Sequence, residues 1–367
     1  MDYYLCRDDN KQGELFIMKR KLENILVTGG AGFIGSNFIH HIFKNNSFRG
    51  NIINVDKLTY AGNLENLIEI ENKYGGERYF FERVDICDFD EIKRIFEKYD
   101  IDTVVNFAAE SHVDRSIFGP KDFVQSNIVG TFNLLEVARE CWRNNEKEEI
   151  LFHHISTDEV YGSIEEGGYF YEDTAYQPNN PYSASKASSD HLVRAYYKTY
   201  GLPTTITNCS NNYGPYQFPE KLIPLMILNI LEEKVLPVYG DGRNVRDWLY
   251  VKDHCSAVWK ILNKGKIGEI YNIGGENEWE NIKLVNFLCE KIAKIKGKDK
   301  DYYKKLISFV KDRLGHDRRY AINCDKIKQE LGWRKKFGFE EGLDMTIKWY
   351  MNRQEWVDRV RSGEYMK

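Results

Sequence analysis

The sequence lacks the patterns that mark export, membrane insertion and structural metal binding. None of its apolar runs approaches the roughly 18 to 20 residues needed to cross a bilayer, and its first residues do not form a signal peptide. The seven cysteines are scattered, odd in number and free of C-x-x-C spacing, which disfavours a disulfide framework or a zinc site. We therefore expect a protein of the reducing cytoplasm that holds no metal.

The sequence also lacks a large excess of either charge. Its 52 basic and 56 acidic residues give a net charge of -4, which offers no general attraction for nucleic acid or a membrane surface. Any binding of phosphate must therefore be local. With 42% hydrophobic residues among 367, the chain can bury a large core and form one large domain with a smaller one attached.

Short apolar runs alternate with amphipathic segments in the first part of the chain. This alternation predicts an α/β fold with a Rossmann-type, doubly wound parallel sheet and helices on both of its faces. The predicted strands are 25–27, 52–55, 79–84, 104–107, 150–152 and 204–207. The predicted helices are 35–43, 89–99, 122–139 and 183–200.

Glycine and proline clusters separate shorter elements after about residue 211, which predicts a smaller, substrate-binding C-terminal lobe. We expect a cofactor-binding Rossmann domain at 18–210, to which the chain can later return, and a mainly substrate-binding lobe at 211–367. Met18 could itself start such a chain. Residues 1–17 are therefore expected to form a disordered extension.

A glycine-rich segment, "ILVTGGAGFIGS", runs from a predicted strand through a tight turn into a helix. Gly29, Gly32 and Gly35 let the backbone turn and approach a pyrophosphate, while the helix N-terminus supplies N–H donors. Asp56 closes the next strand, where a carboxylate accepts both ribose hydroxyls and repels a 2′-phosphate. The segment predicts a dinucleotide site that prefers NAD to NADP, against the alternative of an ordinary strand-to-helix turn.

Tyr182 and Lys186 lie four residues apart in "PYSASK", on one face of a predicted helix. The lysine charge is expected to lower the pKa of the phenol, so that it can take a proton from a sugar hydroxyl at neutral pH. The same ammonium can hold the nicotinamide ribose. A chance surface pair is the alternative, but together with the glycine loop the pair predicts hydride chemistry on an alcohol.

The motifs "TGGAGFIGS", "NIVGT" and "YSASK" together resemble the extended short-chain dehydrogenase/reductase family of nucleotide-sugar enzymes. More narrowly, "VDKLTYAGN", "FAAESHVDRS", "STDEVYG", "NCSNNYGPYQFPEKLIPL", "RDWLYV" and "DRLGHDRRYAI" resemble the dTDP-glucose 4,6-dehydratases within that family. The resemblance covers the chain from Met18 to about Trp349. It implies an NAD-dependent hydro-lyase that converts dTDP-glucose to dTDP-4-keto-6-deoxyglucose in deoxysugar biosynthesis, for example that of rhamnose.

Thr157, Asp158 and Glu159 stand side by side in "STDEVYG", after a predicted core strand whose carboxyl end borders the ligand crevice. Oxidation of the sugar at C4 acidifies the C5 hydrogen, and loss of the C6 hydroxyl then needs one base and one acid. We expect Glu159 to be the base, Asp158 to be the acid and Thr157 to bind the C4 oxygen. Asp158 can keep its proton only if burial and Glu159 raise its pKa. A solvated turn or helix cap is the alternative.

The residues and the resemblance together assign three sets of site residues. The predicted catalytic residues are Thr157, Asp158, Glu159, Tyr182 and Lys186. The predicted NAD contacts are Gly29, Gly32, Phe33, Ile34, Gly35, Asp56, Lys57, Leu58, Thr59, Asp85, Ile86, Ala108, Ala109, Glu110, Ser111, Ser126, Tyr182, Lys186 and Asn212. The predicted substrate contacts are His112, Thr157, Asn211, Lys221, Leu222, Pro237, Tyr239, Arg246, Asn281, Arg313 and His316.

The resemblance also implies roles within the substrate set and an oligomeric state. Arg246 and Arg313 would hold the pyrophosphate, Tyr239 would lie near the base, and His112 would contact the sugar. Family members of this kind are usually homodimers. The predicted helices 122–139 and 183–200 carry apolar residues beyond one face, which is compatible with such an interface.

Two other functions stay open at this point. A UDP-sugar epimerase or decarboxylase would share the fold, but the resemblance implies small residues in epimerases, and serine in place of Asp158 in decarboxylases. A non-catalytic NAD-binding sensor would keep the pocket without turnover. The presence of Tyr182, Lys186 and both carboxylates favours the dehydratase.

Overall fold

The computed structural model describes residues 20–45, 48–143 and 149–366, so the extension predicted at 1–17 lies outside the described residues. The strands are β1 (Asn24–Thr28), β2 (Asn51–Val55), β3 (Tyr79–Glu82), β4 (Thr103–Asn106), β5 (Leu151–Thr157), β6 (Thr204–Cys209), β7 (Asn211–Tyr213), β8 (Leu236–Tyr239), β9 (Val245–Tyr250), β10 (Ile270–Ile273), β11 (Glu278–Glu280) and β12 (Ile307–Val310). The helices are α1 (Phe33–Lys44), α2 (Ile68–Tyr74), α3 (Phe89–Tyr99), α4 (Val113–Phe118), α5 (Pro120–Phe123), α6 (Gly130–Trp142), α7 (Pro181–Tyr200), α8 (Leu222–Leu231), α9 (Val251–Lys264), α10 (Asn281–Ile295), α11 (Asp325–Leu331), α12 (Phe339–Asn352) and α13 (Gln354–Ser362).

A seven-stranded parallel sheet with the strand order β10-β6-β5-β4-β1-β2-β3 organises the larger lobe. The order reverses at β1, which pairs with β2 on one side and β4 on the other. Ligands of such sheets bind outside the carboxyl ends of the strands at this reversal. The fold is therefore the predicted doubly wound Rossmann-type α/β fold with a smaller C-terminal lobe, and each of the six predicted strands overlaps an observed one.

The predicted helix 122–139 is interrupted, which corrects the sequence interpretation. After the short α5, a π-helical segment, Val124–Val129, precedes α6. Within it, the side-chain amide of Asn127 donates to Glu110 O (3.0 Å) and to Ser185 Oγ (2.8 Å). A π-helical turn contains more residues than an α-helical turn, and here it occurs in the segment whose Asn127 makes these contacts. Such π-bulges are frequent at functional sites.

Strand β5 is longer than predicted because two histidines continue it inside the core. The apolar run predicts a strand only at 150–152, whereas β5 extends to Thr157 and is buried along its whole length. His153 is 0% exposed and its Nδ1 lies 2.8 Å from Thr205 Oγ1 on the neighbouring strand. Polar residues with buried partners thus occupy positions of β5 where apolar residues would be expected from the sequence.

The smaller lobe is built on two short sheets and packed helices. Strand β9 pairs in parallel with β7 and antiparallel with β11, while β8 pairs with β12. Its core lies among α8, α10 and α12, with Ile227, Leu288 and Leu343 fully buried. The chain returns to the larger lobe, since β10 joins the edge of the main sheet beside β6. The predicted boundary at 210 allows for such a return and itself stays a prediction.

Helix α7 has well-defined ends that fix the position of its first turn. Asn180 caps it by accepting from Ser183 N (2.9 Å), and Ser183 Oγ accepts in return from Asn180 N. Pro181 occupies the first turn and Gly201, in the left-handed region at φ 70°, ends the helix. These caps hold Tyr182 and Lys186 on the face that packs behind β5.

Within the described ranges, no helix combines the length and apolar character that a membrane span requires.

Candidate active site

A cleft at the carboxyl ends of β1, β2, β4 and β5 brings most of the predicted site together. All five predicted catalytic residues line it, and so do all predicted NAD contacts except Leu58. Leu58 instead takes a positive φ of 59° and its N–H donates to Asp56 Oδ1 (2.8 Å). No cluster of three or more potential ligands for a metal ion occurs in the part of the chain that the structure describes.

The glycine loop is as tight as a pyrophosphate cradle requires. Gly29 has a φ of +65°, and a Cβ atom added there would lie 2.8 Å from the Cα of Ala108. A Cβ atom on Gly35 would lie 2.4 Å from Gly29 O. Both positions therefore exclude any side chain, and the N-terminus of α1 stays open toward the cleft.

Asp56 is held by backbone amides at the end of β2. Its Oδ2 accepts from Ala31 N (3.1 Å) and its Oδ1 from Leu58 N (2.8 Å). Each oxygen keeps a further lone pair, and the residue lines the cleft. Beside it, Lys57 Nζ donates to Ser126 Oγ (3.0 Å) and pairs with Asp85 (3.3 Å). This geometry fits the adenosine ribose of a dinucleotide.

Tyr182 and Lys186 are both buried at the back of the cleft. Burial lowers the pKa of Lys186 to about 8, although its ammonium donates to Ile155 O at 2.8 Å. Burial, followed by the charge of Glu159, raises the pKa of Tyr182 well above its ordinary value. This net shift is opposite to the lowering that the sequence predicts, because desolvation of the phenolate and the neighbouring negative charges outweigh the hydrogen bond with Thr157, and the lysine charge is not among the causes.

Asp158 is a buried carboxyl group with one unused oxygen. It follows β5 in a single 3-10 turn and is 1% exposed. Its Oδ1 accepts from Thr157 Oγ1 at 3.3 Å, whereas its Oδ2 has no hydrogen-bond partner. Burial, and then the charges of Glu159 and Asp247, raise its pKa well above the ordinary value. The first two causes are those predicted from the sequence, and a protonated Oδ2 could donate into the cleft.

Glu159 lies next to Asp158 but faces a different set of charges. Burial raises its pKa, while Arg246, Lys221 and Arg313 lower it. Its N–H donates to Thr157 Oγ1 (3.3 Å), which fixes the turn. The two neighbouring carboxyl groups therefore differ in the balance of charge: Glu159 and Asp247 raise the pKa of Asp158 and Arg246 opposes them, whereas at Glu159 Arg246, Lys221 and Arg313 lower the pKa and Asp317 opposes them.

The predicted substrate contacts divide into two groups. Thr157, Asn211 and Lys221 line the cleft. The others lie outside that lining, on the strands, helices and loops of the smaller lobe or at its border: His112, Leu222, Pro237, Tyr239, Arg246, Asn281, Arg313 and His316.

Among this outer group, the two arginines already have partners. Arg246 donates to Asp317 O (2.9 Å) and stacks on Tyr320, with 4.2 Å from the guanidinium carbon to the ring centre. Arg313 binds Asp114 with two hydrogen bonds, of 2.5 and 2.7 Å. Arg246 is therefore rigidly held near Glu159, whereas a pyrophosphate on Arg313 would compete with Asp114.

The sequence analysis missed several residues that line the cleft. They are Val55, Tyr60, Ala61, Gly62, Val84, Phe107, Ile155, Ser156, Cys209, Ser210, Tyr216, Gln217, Phe218 and Glu220. Glu220 could have been found, because it stands beside Lys221 in the motif "NCSNNYGPYQFPEKLIPL". Tyr60 could also have been found, because it stands in the motif "VDKLTYAGN", but its hydrogen bond to Glu220 (2.9 Å) joins residues 160 positions apart and leaves no local pattern.

Known proteins match most of the chain. The profile of the family described as GDP-mannose 4,6 dehydratase matches residues 26–346. The chain is 55% identical over 353 residues to the dTDP-glucose 4,6-dehydratase of Shigella flexneri, across 93% of this chain and 96% of that protein.

Two solved structures are similar over almost their whole length. The dTDP-glucose 4,6-dehydratase of Bacillus anthracis, in complex with NAD, is 48% identical with a TM-score of 0.81, covering 92% of this chain and 99% of that one. DesIV, the dTDP-glucose 4,6-dehydratase of Streptomyces venezuelae with NAD bound, is 43% identical with a TM-score of 0.84 and the same coverage.

The raised pKa of Asp158 gives a prediction about stability. An unfolded aspartate ionises above a pKa of about 3.9, whereas folded Asp158 keeps its proton to higher pH, so the free energy of unfolding falls as pH rises through that window. Asp158→Asn removes this cost. The variant should be more stable than wild type in thermal unfolding, by an amount that grows from pH 4 to pH 7 by up to about 1.4 kcal/mol per pH unit.

Asp88→Asn is the matched control, since Asp88 is exposed and caps α3, a role that asparagine also fills. Its difference from wild type should stay constant over the same pH range. A constant difference for Asp158→Asn as well would show that Asp158 ionises like an ordinary aspartate.

Proposed function

Because the chain belongs to the GDP-mannose 4,6-dehydratase family, and within it to the dTDP-glucose 4,6-dehydratases, we propose that it removes water from dTDP-glucose to give dTDP-4-keto-6-deoxyglucose. The observation that carries this proposal is the unequal environment of Asp158 and Glu159. An elimination needs an acid and a base within reach of adjacent carbons, and two neighbouring carboxyls with separated pKa values meet that need.

NAD is the cofactor, and when bound it accepts hydride from C4 of the sugar and later returns it to C6. The chain supplies the proton transfers. Tyr182, with Lys186 behind it, would take the proton of the C4 hydroxyl in its phenolate form, which requires its raised pKa to fall when the positively charged cofactor and the sugar occupy the cleft, while Thr157 holds the C4 oxygen. Glu159 takes the proton from C5, and Asp158 gives its proton to the departing C6 hydroxyl, which leaves as water. When hydride returns to C6, Glu159 gives its proton back to C5, which completes the 4-keto-6-deoxy sugar. The reaction needs no external oxidant or reductant.

The substrate's nucleotide half is assigned to the cations of the smaller lobe. Arg246 and Arg313 can bind pyrophosphate oxygens in pairs, and Lys221 lies in the cleft between them and the sugar position. Tyr239 and Pro237 would border the base. The product, a 4-keto-6-deoxy sugar nucleotide, would feed deoxysugar biosynthesis, rhamnose being one example. The six described cysteines are free, which supports a cytoplasmic location.

A homodimer is also part of the proposal. Large apolar side chains are exposed on the predicted interface helices or beside them, namely Phe118 (89% exposed), Val124 (49%), Phe132 (42%) and Tyr200 (56%). A second copy packed on α6 and α7 would remove them from water.

The interface is tested by placing a charge in it. Phe132→Glu should shift the protein toward monomer in light scattering coupled to gel filtration, because a carboxylate would have to be buried between the two copies. Phe309→Glu is the control, since Phe309 is 58% exposed but lies on β12 in the smaller lobe. A dimer that persists equally in both variants would move the interface elsewhere.

Turnover is tested by incubating the purified protein with dTDP-glucose. A 4-keto product that absorbs in alkali is expected, without added cofactor beyond NAD. A C4 epimer, or carbon dioxide from a UDP-glucuronate control, would instead indicate an epimerase or a decarboxylase. An unchanged sugar, with NAD bound, would indicate a sensor.

The division of labour is tested with Glu159→Gln. Oxidation at C4 should still occur, so reduced nicotinamide should accumulate on the enzyme, while exchange of the C5 hydrogen stops and turnover falls by about 10²- to 10⁴-fold. Glu166→Gln, an exposed site seven residues away, should leave all three measurements unchanged. Normal turnover in Glu159→Gln would place the base on another residue.

A further inference from the structure

A buried polar network lies behind Lys186, and none of the assigned site residues explains it. Asn106, His154 and Asp190 are 1%, 0% and 2% exposed. Lys186 Nζ lies 3.3 Å from His154 Nε2, which in turn lies 3.4 Å from Asp190 Oδ1. Burying an ionisable triad costs free energy unless its charges are paired, so this arrangement calls for an explanation.

A chain of hydrogen bonds from the cleft sets the orientation of His154. The N–H of Ala108 donates to Thr28 Oγ1 (3.3 Å), whose hydroxyl donates to Asn106 Oδ1 (2.6 Å). The amide nitrogen of Asn106 therefore faces His154 Nδ1 at 3.2 Å. An amide nitrogen only donates, so with this amide orientation Nδ1 accepts and the imidazole proton is on Nε2, 3.4 Å from Asp190 Oδ1. The approach of Nε2 to the Lys186 ammonium (3.3 Å) is then not a hydrogen bond, and the ammonium donates to Ile155 O (2.8 Å).

Asp190 is held in place from a second side. Its Oδ2 accepts from Ser156 Oγ at 2.7 Å. On α7 it stands four residues after Lys186, so that both side chains project from the same helix face. Strand β5 thus fixes one carboxylate oxygen of Asp190 through Ser156, while the other, Oδ1, makes no hydrogen bond and lies 3.4 Å from His154 Nε2, the atom that also approaches Lys186 Nζ at 3.3 Å.

The other titratable groups near Lys186 carry no charge at neutral pH. His154 has its pKa lowered by burial to about 4 and stays neutral. Burial raises the pKa of the Cys209 thiol, at the end of β6, to about 12. Tyr182, one turn earlier on α7, is a phenol in this environment. Asp190 is therefore the negative charge in this group, and it favours the protonated form of Lys186.

We propose that Asp190 and His154 are positioning residues: the Asp190 carboxylate is the buried counter-charge of the Lys186 ammonium, and the Nε2–H of His154 keeps that carboxylate aimed at it. This inference rests on the proposed function, in which a charged Lys186 supports Tyr182. It explains why the lysine can stay protonated without solvent around it. It also links the cofactor-facing backbone at Ala108 to the protonation state of the Tyr–Lys pair.

The first test is the pH profile of hydride transfer in Asp190→Asn. Without the carboxylate the ammonium loses its proton more easily, so the alkaline limb of NADH formation from dTDP-glucose in a single turnover should move to lower pH by about one unit or more. Asp253→Asn is the control, because Asp253 is a buried carboxylate that binds the amides of Lys336 and Phe337 outside the cleft. It should lower stability without moving the limb. An unmoved limb in Asp190→Asn would overturn the proposal.

The second test is stability and needs neither substrate nor turnover. Lys186→Met leaves Asp190 buried without a counter-charge, whereas the double variant Lys186→Met, Asp190→Asn is neutral again. The double variant should therefore melt at a higher temperature than Lys186→Met alone. An equal or lower melting temperature would refute the charge pairing. If wild type does not turn over dTDP-glucose yet the double variant is the more stable, the proposed function fails while the pairing stands.

Discussion

Two carboxyl groups on adjacent residues would normally titrate together, and the site works only because the fold keeps them different. Burial raises the pKa of both Asp158 and Glu159. What separates their pKa values is the balance of the surrounding charge. At Asp158, Glu159 and Asp247 add to the effect of burial and Arg246 opposes it, whereas at Glu159 three cations, Arg246, Lys221 and Arg313, oppose it and Asp317 adds to it. Such a field cannot come from one strand end alone. The larger lobe supplies the acids, and the cations come from segments that follow it in the chain.

The topology explains how the charges of the second lobe reach the end of a strand in the first. Strand β6 lies beside β5 in the main sheet, and β7 follows it after a single residue. Strand β7 then pairs with β9, which carries both Arg246 and Asp247. Asp247 is fixed by the amides of Gly275 (2.7 Å) and Asn277 (2.6 Å). A short path of backbone pairing therefore brings charges of both signs, Arg246 and Asp247, close to the acid pair.

Sequence patterns could predict the parts of this arrangement that depend on local chemistry. Spacing and alternation predict the glycine loop, Asp56, the doubly wound parallel sheet and the position of Thr157 at a strand end. The structure contains all four. The direction of the Tyr182 pKa could not be predicted, because it depends on how completely the folded chain excludes water from the phenol. The Arg313–Asp114 pair joins residues 199 positions apart and leaves no local pattern. The sequence pattern did not identify His153 and His154 as strand residues, because their partners lie far along the chain, Thr205 on β6 and Asp190 on α7.

Asp158, the proposed acid, has a cost in stability that the fold tolerates because it is surrounded by core. Its Oδ2 is buried without a partner, whereas the ammonium of Lys186, a side chain that is 3% exposed, donates to Ile155 O. Asp158 thus departs from the rule that buried polar groups are satisfied, and such departures are expected at functional sites. The fully buried residues of the flanking strands, such as Val105 on β4 and Ile206 (3% exposed) on β6, supply the compensating apolar burial. Neutralising Asp158 should therefore gain stability where it loses activity, which distinguishes the cost of a functional group from a defect in packing.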